Sequence, residues 1–244
     1  MADFTIHIAG YSFGIHSLFE SNREYCKRYL TEEQPLLEIT PRQEDLVFEQ
    51  KMLDAEAVEE GLKRRKFTDP FLERAALQRS VAEFLFDRDV LMLHGSTVAV
   101  DGKAYLFTAK CGTGKSTHTR LWCQAFGQRA VMVNDDKPFL KITDEGVWAC
   151  GSPWSGKHGL DTNLTVPLAG ICILERGNEN KIDPCALEEA MPMLLHQGYC
   201  PLREEKRAVY EALVRKVAET VPLWKMSCNK EIEAAQIAYG AMSQ

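Results

Sequence analysis

Residues 106–126, LFTAKCGTGKSTHTRLWCQAF, decide the fold. An apolar run ends at Phe107, a loop with two glycines follows, and Ser116 opens an expected helix. Strand, loop and helix thus come in the order that a Walker-type Gly-Lys-Ser needs to hold phosphate. Gly112 and Gly114 allow backbone conformations that turn successive N–H groups toward one point. The helix start adds unpaired donors and a partial positive charge, which suits a polyphosphate. Lys115 would neutralise the β and γ oxygens, and the Ser116 hydroxyl would ligate Mg²⁺. The full pattern, Gly-x-x-x-x-Gly-Lys-Ser/Thr, asks for glycine at 109, where this chain carries Ala109.

Upstream, residues 98–107 read as two β runs joined by Asp101-Gly102, a two-residue hairpin signal. Pairing residue 100 with 103 sets a register that, continued without a bulge, brings His94 opposite Ala109 at the mouth of the loop. There His94 would either reach a phosphate or serve as a hydrogen-bonded strand-end histidine. An antiparallel entry into the loop argues against an all-parallel sheet.

Downstream, VMVNDD at 131–136 is an apolar strand ending in acids. One of Asp135 and Asp136 would bind Mg²⁺ and the other would accept a proton from an attacking hydroxyl. Adjacent strand residues point to opposite faces, so both can act only if the strand has ended there. Residues 139–142 and 147–150 flank Thr143-Asp-Glu-Gly146 as a second hairpin. Folding back about that turn brings residues 151–157 beside the two acids. Ser152, Ser155, Lys157 and His158 are then expected to face a substrate or phosphoryl group. Asp161 and Asn163 come next, before a buried strand at 171–174 that ends in Glu175-Arg176.

With a strand carrying Leu93-His94-Gly95, the loop from Cys111 to Thr117, the Asp135-Asp136 pair, and Gly159-Leu160 leading to the 171–174 strand, the chain resembles the HPr kinase/phosphorylase family. More distantly it is similar to ATP-dependent phosphoenolpyruvate carboxykinases, and it also looks like bacterial HPr-kinase-like proteins with GSPWSGKHG-type segments. The resemblance spans about residues 91–176. It implies an α/β core with a mixed, partly antiparallel sheet around a Walker A loop, binding of ATP with Mg²⁺, and phosphoryl transfer to a hydroxyl. Carried over, Cys111, Gly112, Thr113, Gly114, Lys115, Ser116, Thr117 and Lys157 would hold the nucleotide, and Ser116 and Asp136 the metal. Asp135, Asp136, Lys115 and His94 would carry catalysis. Two departures, Gly156-Lys157-His158 in place of the family's glutamate and the lack of its C-terminal basic signature, leave the phosphate acceptor unassigned.

The 244 residues are 45% apolar and 26% charged, with a formal charge of −6, as in an ordinary globular chain. No apolar run approaches the roughly 20 residues of a bilayer span, and net acidity disfavours nucleic acid as a partner. An acid near the start, where a signal peptide would carry basic residues, and eight cysteines without zinc spacing suggest reduced thiols in a cytoplasm. Cys172 reads as a small buried hydrophobe.

Residues 1–90 are expected to form an N-terminal strand at 4–9 followed by mostly helical material packed on the core. Within that segment, Thr68-Asp69-Pro70 should start a helix with Leu77, Val81, Phe84 and Leu85 on its apolar face. The basic cluster Lys63-Arg64-Arg65-Lys66 reads as a solvated helix end. Residues 91–244 would form the nucleotide-binding core with C-terminal helices. Val209, Ala212, Leu213 and Val217 would mark one of these, and Ile232, Ala235, Tyr239 and Met242 another, capped by Asn229.

The expected activity is that of a cytoplasmic, Mg²⁺-dependent ATP kinase acting on a serine-like hydroxyl of a small molecule or peptide. The alternative is a nucleotide-binding regulatory module without catalysis. Neither nucleic acid nor membrane is an expected partner, and a homo-oligomer is compatible with the chain.

Overall fold

Asp101 and Gly102 take φ angles of 52° and 80°, closing the two-residue turn that an Asp-Gly pair favours. Around that turn, the computed structural model describes residues 1–59, 61 and 63–244. They divide into two compact units, Met1–Phe84 and Leu85–Gln244.

In the first unit, β1 (Ala2–Ile8) pairs antiparallel with β2 (Tyr11–Ser17) through a turn at Ala9 and Gly10. Both turn residues have positive φ, 54° and 89°. Then follow α1 (Glu20–Tyr25), β3 (Leu37–Ile39, parallel to β2), α2 (Gln43–Glu59) and α3 (Asp69–Phe86). The strand expected at 4–9 is therefore one of three in this unit. In α3, the Thr68 carbonyl accepts the amides of Phe71 and Leu72, each at 3.0 Å, as a helix start there requires. Leu77, Val81 and Leu85 are buried, and Phe84 packs edge-on against Phe13 at 5.3 Å. The cluster 63–66 is exposed in an irregular segment beyond α2 and does not lie on a helix.

The second unit is built on β4 (Val90–Met92), β5 (Ser96–Val100), β6 (Lys103–Thr108), α4 (Lys115–Phe126), β7 (Ala130–Asn134), β8 (Phe139–Thr143), β9 (Gly146–Cys150), β10 (Thr165–Arg176), β11 (Lys181–Pro184), α5 (Leu187–Gln197), α6 (Arg207–Thr220), β12 (Leu223–Cys228) and α7 (Ile232–Met242). Among the described residues its nine strands form one sheet in the order β4-β8-β9-β10-β6-β5-β7, with β12 beside β10 and β11 beside β12. Among the described residues of this sheet, only β10 makes parallel pairs, with β6 and β12. The sheet is thus mixed and largely antiparallel. The long β10 pairs with β9 through residues 165–167 and with β12 through 171–176, so its edge changes partner part-way along.

Alternation along β6 and β10 supplies both faces of this sheet. Leu106, Ile171 and Ile173 meet Leu194, Leu213 and Val217 of α5 and α6, while Tyr105, Phe107, Cys172 and Leu174 meet Trp122, Ala235 and Ala238 of α4 and α7. Burial drives the thiol of Cys172 well above its ordinary range, leaving it a small apolar group.

Two helix faces differ from the sequence expectation. On α6 the buried residues are Tyr210, Leu213, Val214, Val217 and Ala218, so Val209 and Ala212 face solvent. On α7, Ile232 is exposed and the capping position is Glu231, whose amide donates to Asn229 Oδ1 at 2.9 Å.

Candidate functional site

Strand β6 delivers the chain into residues 109–114, and α4 begins at Lys115. Gly112 and Gly114 hold φ at 73° and 127°, angles that strain any residue with a Cβ. Ala109 is not among the positive-φ residues, so this backbone has no conformational need for glycine there. Its methyl is fully buried in the cluster containing Phe107 and Trp122. Lys115 is buried, and its Nζ donates to the Ala109 carbonyl at 3.1 Å. The loop is gripped from β10. Arg176 Nε donates to the Thr113 carbonyl at 3.2 Å, and Nη2 donates to the Gly112 carbonyl. Cys111 is exposed at the tip, and Ser116 and Thr117 are half-buried on the first turn of α4.

Beyond β7 the chain turns on Asn134, whose Oδ1 accepts the amides of Asp136 at 2.8 Å and Lys137 at 2.6 Å. Both acids therefore lie past the strand end, free of its alternation. Asp135 is buried and accepts the Ser96 hydroxyl at 2.6 Å, while the same Ser96 oxygen stands 2.7 Å from Thr119 Oγ1 on α4. Strand β5, the end of β7 and the loop's own helix are thereby tied together.

Asp136 Oδ1 stands 3.2 Å from His94 Nε2. Burial raises the Asp136 carboxyl above the ordinary aspartate range; Lys137 and Lys115 pull it back, and Asp135 adds to the rise. Burial, with Lys137, Lys115 and His196 nearby, drives the His94 imidazole down to about 2. A quarter of the ring is still exposed and Asp136 favours its charged form, but desolvation is the larger influence, so His94 is neutral. The β5–β6 ladder ends at Ser96↔Phe107; beyond it Thr108 Oγ1 donates to the His94 carbonyl at 3.0 Å, keeping His94 beside the start of the loop.

The β8–β9 hairpin turns at Asp144 and Glu145 and carries the chain back to the acids. Asn134 Nδ2 donates to the Ser152 carbonyl at 2.8 Å, and a Cβ on Gly156 would meet Asp136 Cβ at 3.3 Å. Ser152 and Ser155 do not face an open site. Both are buried, with their hydroxyls donating to the Lys137 carbonyl at 2.7 Å and to Asp161 Oδ2 at 2.6 Å. Lys157 and His158 are exposed in the short turn that follows Gly156.

The structure thus gathers Lys115, His94, Asp135 and Asp136 at one end of the sheet. It adds Ser96, Thr119 and Asn134, which sequence reasoning did not single out. Arg176, named from the sequence only as the end of a buried strand, proves to hold the loop. Among the described residues no group of three His, Cys, Asp or Glu side chains is placed to hold a metal ion, and no helix is long and apolar enough to cross a membrane.

No protein-family model matches the chain, and no curated protein matches it. Among solved structures, the Hpr(Ser) kinase/phosphatase from Coxiella burnetii is similar with a TM-score of 0.37 and 10% identity, over 62% of this chain and 95% of that one. So distant a likeness decides nothing about binding or chemistry.

Proposed function

We propose that the chain is a nucleotide-binding phosphotransferase that passes the terminal phosphoryl group of ATP to a hydroxyl, on a serine-like small molecule or a peptide serine. One observation carries the reading. The Asp136 carboxyl touches His94 and lies within the field of Lys115, so the candidate phosphate loop and the acids after β7 act on one spot. Separately, each is a common turn; together they are the charge pattern that phosphoryl transfer uses.

In this reading the loop amides and Lys115 hold the phosphates, with Lys115 turning away from the Ala109 carbonyl. Cys111, Gly112, Thr113, Gly114 and Thr117 shape the cradle, and the exposed Lys157 closes it. The donor set fits Mg²⁺. Ser116 and Asp136 offer hard oxygens, and Mg²⁺ takes one or two such protein groups and completes its shell with phosphate and water. Such an ion supplies charge neutralisation at the transferring group. Asp136, one-third exposed, reaches the metal through water with one oxygen and accepts the proton of the attacking hydroxyl with the other. Asp135, committed to Ser96, orients that end of the site. The hydroxyl oxygen bonds to the γ phosphorus, the bond to the β–γ bridging oxygen breaks, and ADP leaves.

ADP release measured with free serine, threonine and serine peptides as acceptors tests the reading. Acceptor-stimulated release that Asp136→Asn reduces at least a hundredfold is expected. ATP binding without turnover with any acceptor would leave the regulatory module instead, a reading favoured by the Lys115 ammonium pointing at its own loop carbonyl.

A further inference from the structure

We propose that the phosphoryl acceptor is a small hydroxyl-bearing acid whose own carboxylate is held by Lys137, so that a free hydroxy amino acid is taken in preference to a serine inside a peptide. This inference rests on the phosphotransfer reading of Lys115 and Asp136 and names the substrate class that the reading leaves open.

Lys137 follows Asp136 directly, and its backbone is pinned on both sides. Its amide donates to Asn134 Oδ1 at 2.6 Å, and its carbonyl accepts the Ser152 hydroxyl at 2.7 Å. Asn134 and Ser152 are both fully buried. Next comes Pro138, whose ring fixes φ and whose carbonyl accepts the Leu93 amide at 3.2 Å. A cation mounted on so rigid a segment loses little freedom when it meets an anion. Lys137 is half-buried, and among the described residues its ammonium has no ion-pair partner. After burial, it is the strongest influence on the protonation of both Asp136 and His94, ahead of Lys115. It therefore lies beside the spot where the attacking hydroxyl has to stand. Lys115 and the metal answer the charge of the polyphosphate, and Lys137 is a further positive charge on the acceptor's side.

The end of α5 closes the other side of His94. The Gln197 carbonyl accepts the His94 amide at 2.7 Å, and the Met92 carbonyl accepts the Tyr199 amide at 2.9 Å. His196 is close enough to act on the His94 ring. Free carbonyls at a helix end would repel an anion, but three of these are engaged. Leu194 takes the Gly198 amide at 2.9 Å, Leu195 the Tyr210 hydroxyl at 2.7 Å, and Gln197 the His94 amide. Gln197 is 8% exposed, and its Oε1 is buried with no hydrogen-bond partner among the described residues. A buried acceptor left unpaired is costly, and the amino group of an amino acid supplies the missing donor. The carboxylate of that molecule meets Lys137 and its hydroxyl meets Asp136. A serine inside a peptide carries an amide in place of the carboxylate and offers Lys137 no charge.

ADP release by the full chain with ATP and Mg²⁺, measured with L-serine, L-serinamide and N-acetylserine methylamide as acceptors, tests the inference. L-Serine should show a kcat/KM about tenfold or more above both amides, the scale of one hydrogen bond to a charged group. Lys137→Ala should erase that preference through a higher KM for L-serine, and Lys137→Arg should keep most of it. The comparison of acceptors on the unmodified chain decides the matter if Lys137→Ala fails to fold. Equal turnover of L-serine and its amides, or a preference that survives Lys137→Ala, overturns the carboxylate site while the phosphotransfer reading stands. ADP release that no acceptor stimulates overturns that reading and this inference with it.

Discussion

The Ser96 hydroxyl donates to Asp135 Oδ1 at 2.6 Å from a fully buried position on β5. A buried carboxylate stripped of such a donor loses about 1–3 kcal/mol. Ser96→Ala should therefore lower unfolding free energy by that amount in urea titrations. Thr119→Val, which removes only the outer member of the relay, should cost less. Equal stability of Ser96→Ala and the unmodified chain would mean that Asp135 has no need of this bond.

Lys115 is the second test of the division between fold and function. Its hydrogen bond to the Ala109 carbonyl, at 3.1 Å, is worth about 0.5–1.5 kcal/mol. Its proposed work on phosphate is worth far more, because removing one preorganised transition-state donor costs about 10²–10³ in rate. Lys115→Ala should thus fold nearly as well as the parent and lose at least a hundredfold in kcat/KM. Retained turnover would contradict the assignment.

Arg176 holds the loop by two donors to one stretch of backbone. Arg176→Ala should speed amide hydrogen exchange in residues 111–114 by about tenfold, the equivalent of roughly 1.4 kcal/mol. Arg176→Lys should not restore protection, since an ammonium lacks the planar fork. Unchanged exchange in both variants would mean the loop is held by its own turn.

The local features were legible and the distant ones were not, for a physical reason. Asp101-Gly102 sets its own φ angles, and the glycines at 112 and 114 do the same, so hairpin, loop and helix follow from neighbours in sequence. Asn134 ends β7 through its own side chain, which is why the acids leave the strand where the reading required. Ser96 and Asp135 are 39 residues apart, and Arg176 is 63 from Thr113, so only the folded sheet brings them together. On α6 the apolar residues cover a broad arc, and their spacing alone did not fix which side the sheet would bury. The Ala9-Gly10 turn lacks the Asn or Asp that marks such hairpins, which hid β2.

His118 gives the pH prediction. Burial drives its folded-state value down to about 4, against 6.5 when free. The unfolded chain therefore binds the proton more readily, and the stability held by the neutral ring is full above about pH 6.5 and lost as pH falls toward 4. Between pH 7 and pH 5 this amounts to about 2 kcal/mol. Urea unfolding at the two values should show that loss in the parent and its absence in His118→Phe, after correction for the different baseline stability. An identical pH response in both proteins would place the acid sensitivity elsewhere.

The claim on which the rest stands is that the loop and the acids after β7 hold one magnesium-bound polyphosphate. Calorimetric titration with ATP, with and without Mg²⁺, on the parent and Asp136→Asn addresses it most directly. The account predicts that Mg²⁺ tightens ATP binding at least tenfold in the parent and has little effect in Asp136→Asn. ATP affinity indifferent to Mg²⁺ in the parent, or no ATP binding at all, would contradict it.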